Sequence, residues 1–333
     1  MRLSAMGDVA MTVPVLRAFV KQYPQIKLTV ISRPFFKPFF DGIPNLEFFA
    51  FDEKERHKGF VGLLKLFQDI RKLKIDAFAD LHNVLRSKIV SLLFALSGKK
   101  RATVDKGREG KTELTRAENK IFKQLPTMFE RHVKVFEELG FPVNLSNPTF
   151  PEKANLSSDI LEIIGDKNQK LIGIAPFAQY DSKVYPLDLM TEVITTLAQN
   201  PSYKILLFGG GNKEIEILDS LSQSFENVIN MAGKIKFQQE LQLISNLDVM
   251  LSMDSGNAHI AAMLGVKVVT LWGATHPNAG FLPFNQSLEN ALTSDRNQYP
   301  KLPTSVYGNK IVEGYEDAMR TISSKEIIAK LQE

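Results

Sequence analysis

The segment best suited to chemistry lies in the carboxyl-terminal half and reads MDSGNAHIAAMLG from Met253. A buried strand is expected to end at Met253, and Asp254, Ser255 and Gly256 then turn the chain into a helix. The free N–H groups and the positive dipole end of such a helix favour a diphosphate. Ser255 can cap the helix and donate to a phosphate oxygen, and His259 follows on the same face. An isolated histidine is more often a core residue, but the polar run beside His259 favours a ligand contact.

Two earlier loops follow predicted strands and carry residue types suited to a nucleotide. In FGGGNKEIE, Gly209 and Gly210 let the backbone approach a ligand closely. Either Glu214 or Glu216 can accept hydrogen bonds from ribose hydroxyls, or simply occupy the first turn of a helix. The loop lacks the spacing of the dinucleotide fingerprint. In PFAQYDSKVYP, Lys183 can meet a phosphate as a point charge, or it can be a solvated loop lysine.

Near the amino terminus, SAMGDVAMTVP places Asp8 just before an apolar helix. An aspartate there can be a helix N-cap worth about 1 kcal/mol, which is the simpler interpretation of Asp8 taken alone. Alternatively Asp8 faces a ligand from its strand-to-helix loop and acts as a general base.

The elements that must position these residues alternate between strands and helices, which predicts parallel sheets covered on both faces. Strands are predicted at Lys27–Ile31, Ile75–Asp80, Leu171–Ala175, Tyr203–Phe208, Asp248–Ser252 and Lys267–Leu271, and helices at 13–22, Val84–Leu96, Thr127–Leu139, Leu187–Gln199 and from near Gly256. Residues 142–155 hold three prolines and predict a linker. The expected fold class is therefore α/β, with two Rossmann-like doubly wound domains, 1–150 and 151–333, facing a central cleft at the carboxyl ends of their strands. The last helical stretch, roughly 314–331, is a candidate for crossing back onto the first domain.

Composition restricts the class of protein further. The 333 residues are 44% hydrophobic and 23% charged, which is typical of a soluble protein with two cores. The sequence has no cysteine, so disulfides, thiolate metal sites and a cysteine nucleophile are excluded. There is no H-x-x-x-H or H-E-x-x-H pattern and no D-x-D after a strand, so we expect neither a metal nor a cofactor. No signal peptide or run of eighteen apolar residues is visible, and a cytoplasmic protein is expected.

Charge is distributed unevenly along the chain. Residues 1–150 carry a net charge of +10 and the remainder −6, giving the overall +4. A basic half joined to an acidic half indicates that the first half meets an anionic partner. Nucleic acid, an anionic membrane surface and a phosphorylated glycolipid all fit, and ordinary surface charge is the alternative.

Taken together and in their order along the chain, the segments around Asp8, Lys183, Gly209 and Asp254 resemble the heptosyltransferase family, glycosyltransferase family 9. RLSAMGDVAMTVPVLRA is similar to the family's amino-terminal signature, and SMDSGNAHIAAMLGVKVVTLWGATHP to its carboxyl-terminal one. The K-V-Y-P of Lys183–Pro186 resembles the family's K-x-W-P, with Tyr185 in place of tryptophan. The resemblance implies that Asp8 is the catalytic base and that Lys183 lies near the donor phosphates. It implies that Glu214 or Glu216 contacts the ribose. The implied donor site is completed by Asp254, Ser255, Gly256 and His259.

The family implies a glycosyltransferase B fold and an inverting, metal-independent transfer of heptose from ADP-heptose to a lipopolysaccharide core acceptor. That acceptor, Kdo-lipid A or core, is anionic, and nucleic acid is then not a partner. The cations expected to bind it are Arg86, Lys88, Arg101, Lys106, Arg108 and Lys111, with Lys106–Arg116 expected to be a mobile loop. The same patch can draw the enzyme to the cytoplasmic face of the inner membrane. A sugar-nucleotide epimerase of the same fold and a non-catalytic sugar-nucleotide-binding protein are the alternatives.

One feature departs from the family pattern. Family members place about five apolar strand residues before the R-L-S, whereas here Met1 stands directly before Arg2. We infer either a late start or an unusually short first strand. A sheet without that strand is expected to leave Asp8 poorly anchored.

Overall fold

The computed structural model describes residues 1–165, 168–310 and 312–333, which form two compact units. Unit 1 contains Met1–Arg108 and Pro126–Phe150, and unit 2 contains Glu109–Leu125 and Pro151–Glu333. The chain therefore passes into unit 2 within the proline-rich segment, and also makes an earlier excursion at Glu109–Leu125 that the sequence did not reveal. Within the described residues, no helix is both long and apolar enough to cross a bilayer.

Unit 1 is built from short parallel strands and helices. The strands are β1 (Leu28–Ser32), β2 (Leu46–Ala50), β3 (Ala77–Asp80) and β4 (Lys100–Thr103). The helices are α1 (Met6–Ala10), α2 (Thr12–Gln22), α3 (Gly59–Arg71), α4 (Leu85–Leu96), α5 (Arg108–Thr115), which crosses into unit 2, and α6 (Met128–Glu138). Strands β1 and β2 form one parallel pair and β3 and β4 another.

The extended residues 1–3 lie between the two strand pairs and join them. The Arg2 N–H donates to Ile31 O at 3.1 Å, and the Leu81 N–H donates to Met1 O at 3.1 Å. Met1 and Leu3 are buried in the apolar core of this unit with Phe78. Residues 1–3 therefore hold the start of the Asp8 loop against both pairs.

Unit 2 contains one six-stranded parallel sheet. Its strands are β5 (Lys170–Ala175), β6 (Tyr203–Leu207), β7 (Val228–Asn230), β8 (Val249–Met253), β9 (Lys267–Trp272) and β10 (Ala291–Thr293). Its helices are α7 (Ser158–Ile164), α8 (Leu187–Ala198), α9 (Asn212–Ser222), α10 (Phe237–Ile244), α11 (Gly256–Met263) and α12 (Ser324–Gln332). The strand order is β10-β9-β8-β5-β6-β7, so the winding reverses between β5 and β8. This reversal is the topological switch point, where doubly wound folds bind their ligands.

The predicted α/β class with parallel sheets is confirmed. The strand and helix ends predicted before residue 272 differ from the observed ends by no more than two residues. The central strands β8 and β9 are apolar runs buried almost throughout, as expected for a parallel sheet covered on both faces.

The carboxyl-terminal stretch differs from expectation. Helix α12 packs on α8 and on the sheet of unit 2, with Ile327 and Leu331 fully buried. The Tyr185 hydroxyl donates to Ile322 O at 2.8 Å just before this helix. The apolar face of α12 is therefore used within unit 2, contrary to the expectation that the helix crosses back.

Replacing Leu331 should destabilise unit 2 specifically. We expect Leu331→Ala to lower its free energy of unfolding by about 2–5 kcal/mol, because it leaves a cavity in the core. Trp272, the single tryptophan, is buried in this unit, so its fluorescence during urea denaturation reports the change. Leu288→Ala, at a residue that is 56% exposed, is the control and should have little effect. Equal losses in the two variants would contradict this packing.

Candidate active site

Two charged side chains meet at the switch point of unit 2. Lys183 lies in the loop after β5, and Asp254 directly follows β8. The Lys183 Nζ donates to Asp254 O at 2.5 Å and lies 3.3 Å from Asp254 Oδ2. Their side chains are only 12% and 10% exposed. Buried charges are stable only when they are paired and hydrogen bonded, so this ion pair fixes the position of the lysine.

Asp254 is held from a second side by Thr275, on the loop after β9. The Thr275 hydroxyl donates to Asp254 Oδ2 at 2.8 Å, and Thr275 is itself buried. A carboxylate would repel a diphosphate, so we interpret Asp254 as the residue that positions Lys183. This refines the sequence-based assignment of Asp254 as a donor contact.

Helix α11 begins beside this ion pair. Ser255 is its N-cap residue, but its side chain accepts no hydrogen bond from the helix, so the predicted side-chain cap is wrong. Its hydroxyl instead lies 3.0 Å from the Ser252 hydroxyl. Gly256 opens the helix, and His259 is buried one turn further along. The backbone N–H groups of the first turn can still bind an anion.

Gly308 packs against the aliphatic stem of Lys183. A Cβ atom at Gly308 would lie 2.6 Å from Lys183 Cγ, and its φ is +87°. The Ser182 hydroxyl donates to Gly308 O at 2.6 Å, which fixes this approach. The position therefore requires glycine both for its backbone conformation and for the room it leaves to the lysine.

The glycine loop between β6 and α9 is organised by Glu214. The Gly210 N–H donates to Glu214 Oε2 at 2.8 Å, and a Cβ atom at Gly209 would lie 3.0 Å from the same oxygen. Glu216 is exposed further along α9. Of the two glutamates left open by the sequence, Glu214 is the one whose carboxylate lies at this loop.

In unit 1, Asp8 lies within α1 and does not cap the apolar helix α2. Its Oδ2 accepts the Ala5 N–H at 3.2 Å and lies 2.5 Å from Arg2 Nη2. The carboxylate is about 30% exposed, while the Arg2 side chain is nearly buried. Asp8 is thus anchored by the Ala5 backbone and by Arg2, contrary to the expectation of a poorly anchored residue.

Further titratable groups surround Asp8. Burial, followed by the charges of Arg2 and Lys106, lowers the pKa of His82 to about 4. Burial also lowers the pKa of Lys106, and the charges of Arg2 and Arg108 add to this effect. His82 is therefore a neutral imidazole at neutral pH, in a cluster whose net charge is positive.

The remaining cations of the predicted acceptor patch have different surroundings. Arg86 is exposed and lies 2.9 Å from Glu53, and Lys88 on the same helix is exposed. Arg101 and Arg108 are exposed at β4 and at the start of α5.

Lys111 does not join this exposed patch. It lies on α5, and its Nζ is buried 4.1 Å from the centroid of the Phe281 ring within unit 2. The expectation of a mobile loop over 106–116 is wrong, because residues 108–115 form this helix and its side chains Lys111 and Leu114 are buried.

Across the three described ranges, no group of three or more histidine, aspartate or glutamate side chains is placed to hold a metal ion.

Residues 63–310 match the family described as glycosyltransferase family 9 (heptosyltransferase). The chain belongs to this family. It is therefore a glycosyltransferase, and its fold is the glycosyltransferase B fold of two Rossmann-like units.

Individual relatives agree with the family assignment. The chain is 27% identical over 299 residues to the lipopolysaccharide core heptosyltransferase OpsX of Haemophilus influenzae, covering 88% of this chain and 83% of that protein. A family 9 glycosyltransferase structure from Veillonella parvula superposes with a TM-score of 0.75 at 19% identity, covering 99% and 94% of the two chains. Escherichia coli heptosyltransferase WaaC with ADP-2-deoxy-2-fluoro heptose superposes with a TM-score of 0.62 at 19% identity, covering 92% and 95%.

Four residues at these sites were not assigned from the family signatures: Arg2, His82, Thr275 and Gly308. Arg2 and Thr275 stand inside the two signatures, and His82 follows the predicted strand that ends at Asp80, so position alone was a usable signal. Gly308 lies 125 residues beyond Lys183, and no local pattern connects the two.

Replacing Gly308 tests the packing around Lys183. Gly308→Ala should lower the free energy of unfolding of unit 2 by about 1–3 kcal/mol more than Gly314→Ala, because it forces overpacking. Gly314 has a similar φ of +79° but no atom within 4 Å of its Cβ position, so it isolates the backbone cost. Urea denaturation followed by Trp272 fluorescence measures both. Equal losses would mean that Gly308 is required only for its backbone conformation.

Proposed function

We propose that this glycosyltransferase transfers heptose, with inversion and without a metal, from ADP-heptose to a lipopolysaccharide core acceptor. The observation that carries the proposal is the Lys183–Asp254 ion pair beside the amino terminus of α11, at the switch point of a Rossmann-like sheet. The names of the relatives supply the sugar and the pathway: OpsX acts on lipopolysaccharide core, and WaaC was solved with an ADP-heptose analogue.

On the donor side, Lys183 is the cation that binds the diphosphate. Asp254 holds the ammonium group through its carboxylate, and the N–H groups of the first turn of α11 add neutral hydrogen-bond donors. As the bond between the anomeric carbon and the diphosphate oxygen breaks, negative charge develops on ADP. These fixed groups stabilise that charge without reorganising. Glu214 is the residue we propose for the ribose contact.

On the acceptor side, Asp8 takes the proton of the acceptor hydroxyl. The hydroxyl oxygen attacks the anomeric carbon from the face opposite the diphosphate, so a new C–O bond forms as the old one breaks. The anomeric configuration is inverted, and the proton resides on Asp8 until it leaves to water. The cations Lys106 and Arg108 lie close to each other in this region and are suited to an anionic acceptor.

Removal of the Asp8 carboxylate should greatly reduce turnover but leave donor binding intact. We expect Asp8→Ala to lower kcat by about 10²–10⁴-fold, the usual contribution of a general base. The Kd for ADP-heptose should stay within about twofold, because Asp8 is proposed to contact the acceptor and not the donor. A tenfold change in Kd would correspond to a binding free energy change of about 1.4 kcal/mol. Asp76→Ala, at an exposed aspartate of the same unit, is the control. Unchanged turnover of Asp8→Ala would refute the assignment.

A product assay separates the proposal from its alternatives. Incubation with ADP-, GDP- and UDP-linked sugars, with and without Kdo-lipid A or core acceptor, is followed by mass spectrometry and NMR. Transfer with an inverted linkage supports the proposal. An isomerised sugar would indicate an epimerase, and binding without product would indicate a non-catalytic protein.

We also propose that unit 1 contacts the cytoplasmic face of the inner membrane, where such an acceptor is anchored. The protein should bind vesicles containing phosphatidylglycerol more strongly than pure phosphatidylcholine, and salt should weaken binding because exposed charges are screened. Lys88→Glu should weaken binding more than Lys325→Glu, which makes the same change of charge on α12. Cosedimentation measures this. Equal losses would indicate attraction by net charge alone, and no binding would exclude the contact.

A further inference from the structure

Arg2 is held in place by hydrogen bonds of both its backbone and its side chain. Its backbone N–H donates to Ile31 O, and its carbonyl accepts the Ser32 hydroxyl at 2.6 Å. Its guanidinium Nη1 donates to Leu81 O at 2.8 Å. Arg2 is 6% exposed, so its backbone and side chain are set by β1 on one side and by the segment after β3 on the other.

The remaining arm of this guanidinium reaches Asp8. Nη2 lies 2.5 Å from Asp8 Oδ2, the same oxygen that accepts the Ala5 N–H. Contacts from two directions to one oxygen restrict rotation of the carboxylate. Charge-assisted hydrogen bonds of this kind are about twice as strong as neutral ones.

The nearby groups offer no equivalent substitute. His82 and His132 are buried with pKa values lowered to about 4 and about 3, mainly by burial, so both are neutral at neutral pH. Neutral imidazoles cannot supply the charge that Arg2 supplies. Lys106 is only half-buried. It lies in the connection between β4 and α5, and not on the segments next to β1 and β3 that hold Arg2.

We propose that Arg2 is a positioning residue for the transfer reaction: it holds the Asp8 carboxylate in the orientation needed to receive the acceptor proton. This inference rests on the proposed function, in which Asp8 is the base. Arg2 itself need not contact the acceptor or the donor. Its effect on turnover is therefore expected to pass through the Asp8 carboxylate.

A double-mutant cycle tests whether the effect passes through Asp8. The full-length variants are Arg2→Met, Arg2→Lys, Asp8→Ala and the combination of Arg2→Met with Asp8→Ala. Turnover with ADP-heptose and acceptor is expressed per ADP-binding site, so that unfolded protein does not count as a catalytic loss. Arg56→Met, which breaks the ion pair between the exposed Arg56 and Asp69, is the control for loss of an arginine elsewhere in unit 1.

We expect Arg2→Met to lower kcat by about 10- to 100-fold, the range set by a hydrogen bond to a charged group. The donor KM should not change, and Arg2→Lys should recover part of the loss because it keeps the charge. In the Asp8→Ala background, Arg2→Met should cause no further loss. Arg56→Met should leave kcat unchanged.

The outcomes separate this inference from the proposed function. Suppose that the wild type transfers heptose, that Asp8→Ala is impaired, and that Arg2→Met lowers kcat equally in both backgrounds. The positioning role is then wrong, while the proposed function stands. If Arg2→Met turns over normally, the positioning role is likewise wrong. If Asp8→Ala is fully active or wild type makes no product, both fail. Should Arg2→Met not fold, Arg2→Lys alone and Arg2→Lys combined with Asp8→Ala give the same comparison.

Discussion

Burial of the Lys183 ammonium group is the constraint around which the candidate site of unit 2 is arranged. An ammonium that is almost removed from water must be compensated, and Asp254 supplies both a carboxylate and a backbone carbonyl. That partner is available because β5 and β8 are neighbours at the switch point, so the loops after them meet. Thr275, one strand further, satisfies the carboxylate from the other side. In the proposed function, the cation is thus already held in place before an anionic ligand binds.

Each unit contains an ion pair between a cation and an aspartate, and the two members have opposite roles in the two units. In unit 2 a carboxylate holds a cation, and the cation is the group suited to a ligand. In unit 1 a buried arginine holds a carboxylate, and the carboxylate is the group suited to accept a proton. In both, the supporting partner is the more buried or equally buried member, and the strand ends set its position. Rigid support of this kind keeps a reactive side chain in one geometry.

Sequence patterns located the helix start after β8 and the glycine loop, because each is a local run of turn-forming and polar residues after an apolar strand. The Asp8 segment was located by its turn-forming and polar residues just before an apolar helix. They could not show which way a side chain turns. Asp254 faces Lys183, Ser255 faces Ser252, and Lys111 lies over Phe281, and each of these depends on a partner distant in sequence. Short elements such as β7 and β10 escaped because three residues carry too little periodicity to be distinguished from a loop.

The excursion of residues 109–125 makes unit 2 discontinuous along the chain. Leu114 and Leu125 of this segment are buried with Ala279, and the Leu125 N–H donates to Asn278 O at 2.9 Å. Lys120 donates to Pro303 O at 2.7 Å, and Arg296 lies 3.5 Å from the centroid of the Phe122 ring. A fragment of residues 151–333 would lack all of these contacts and expose their apolar partners to water. A complete unit 2 therefore consists of two separate segments of the chain. Gene fusions that exchange only the carboxyl-terminal half would transfer an incomplete unit 2.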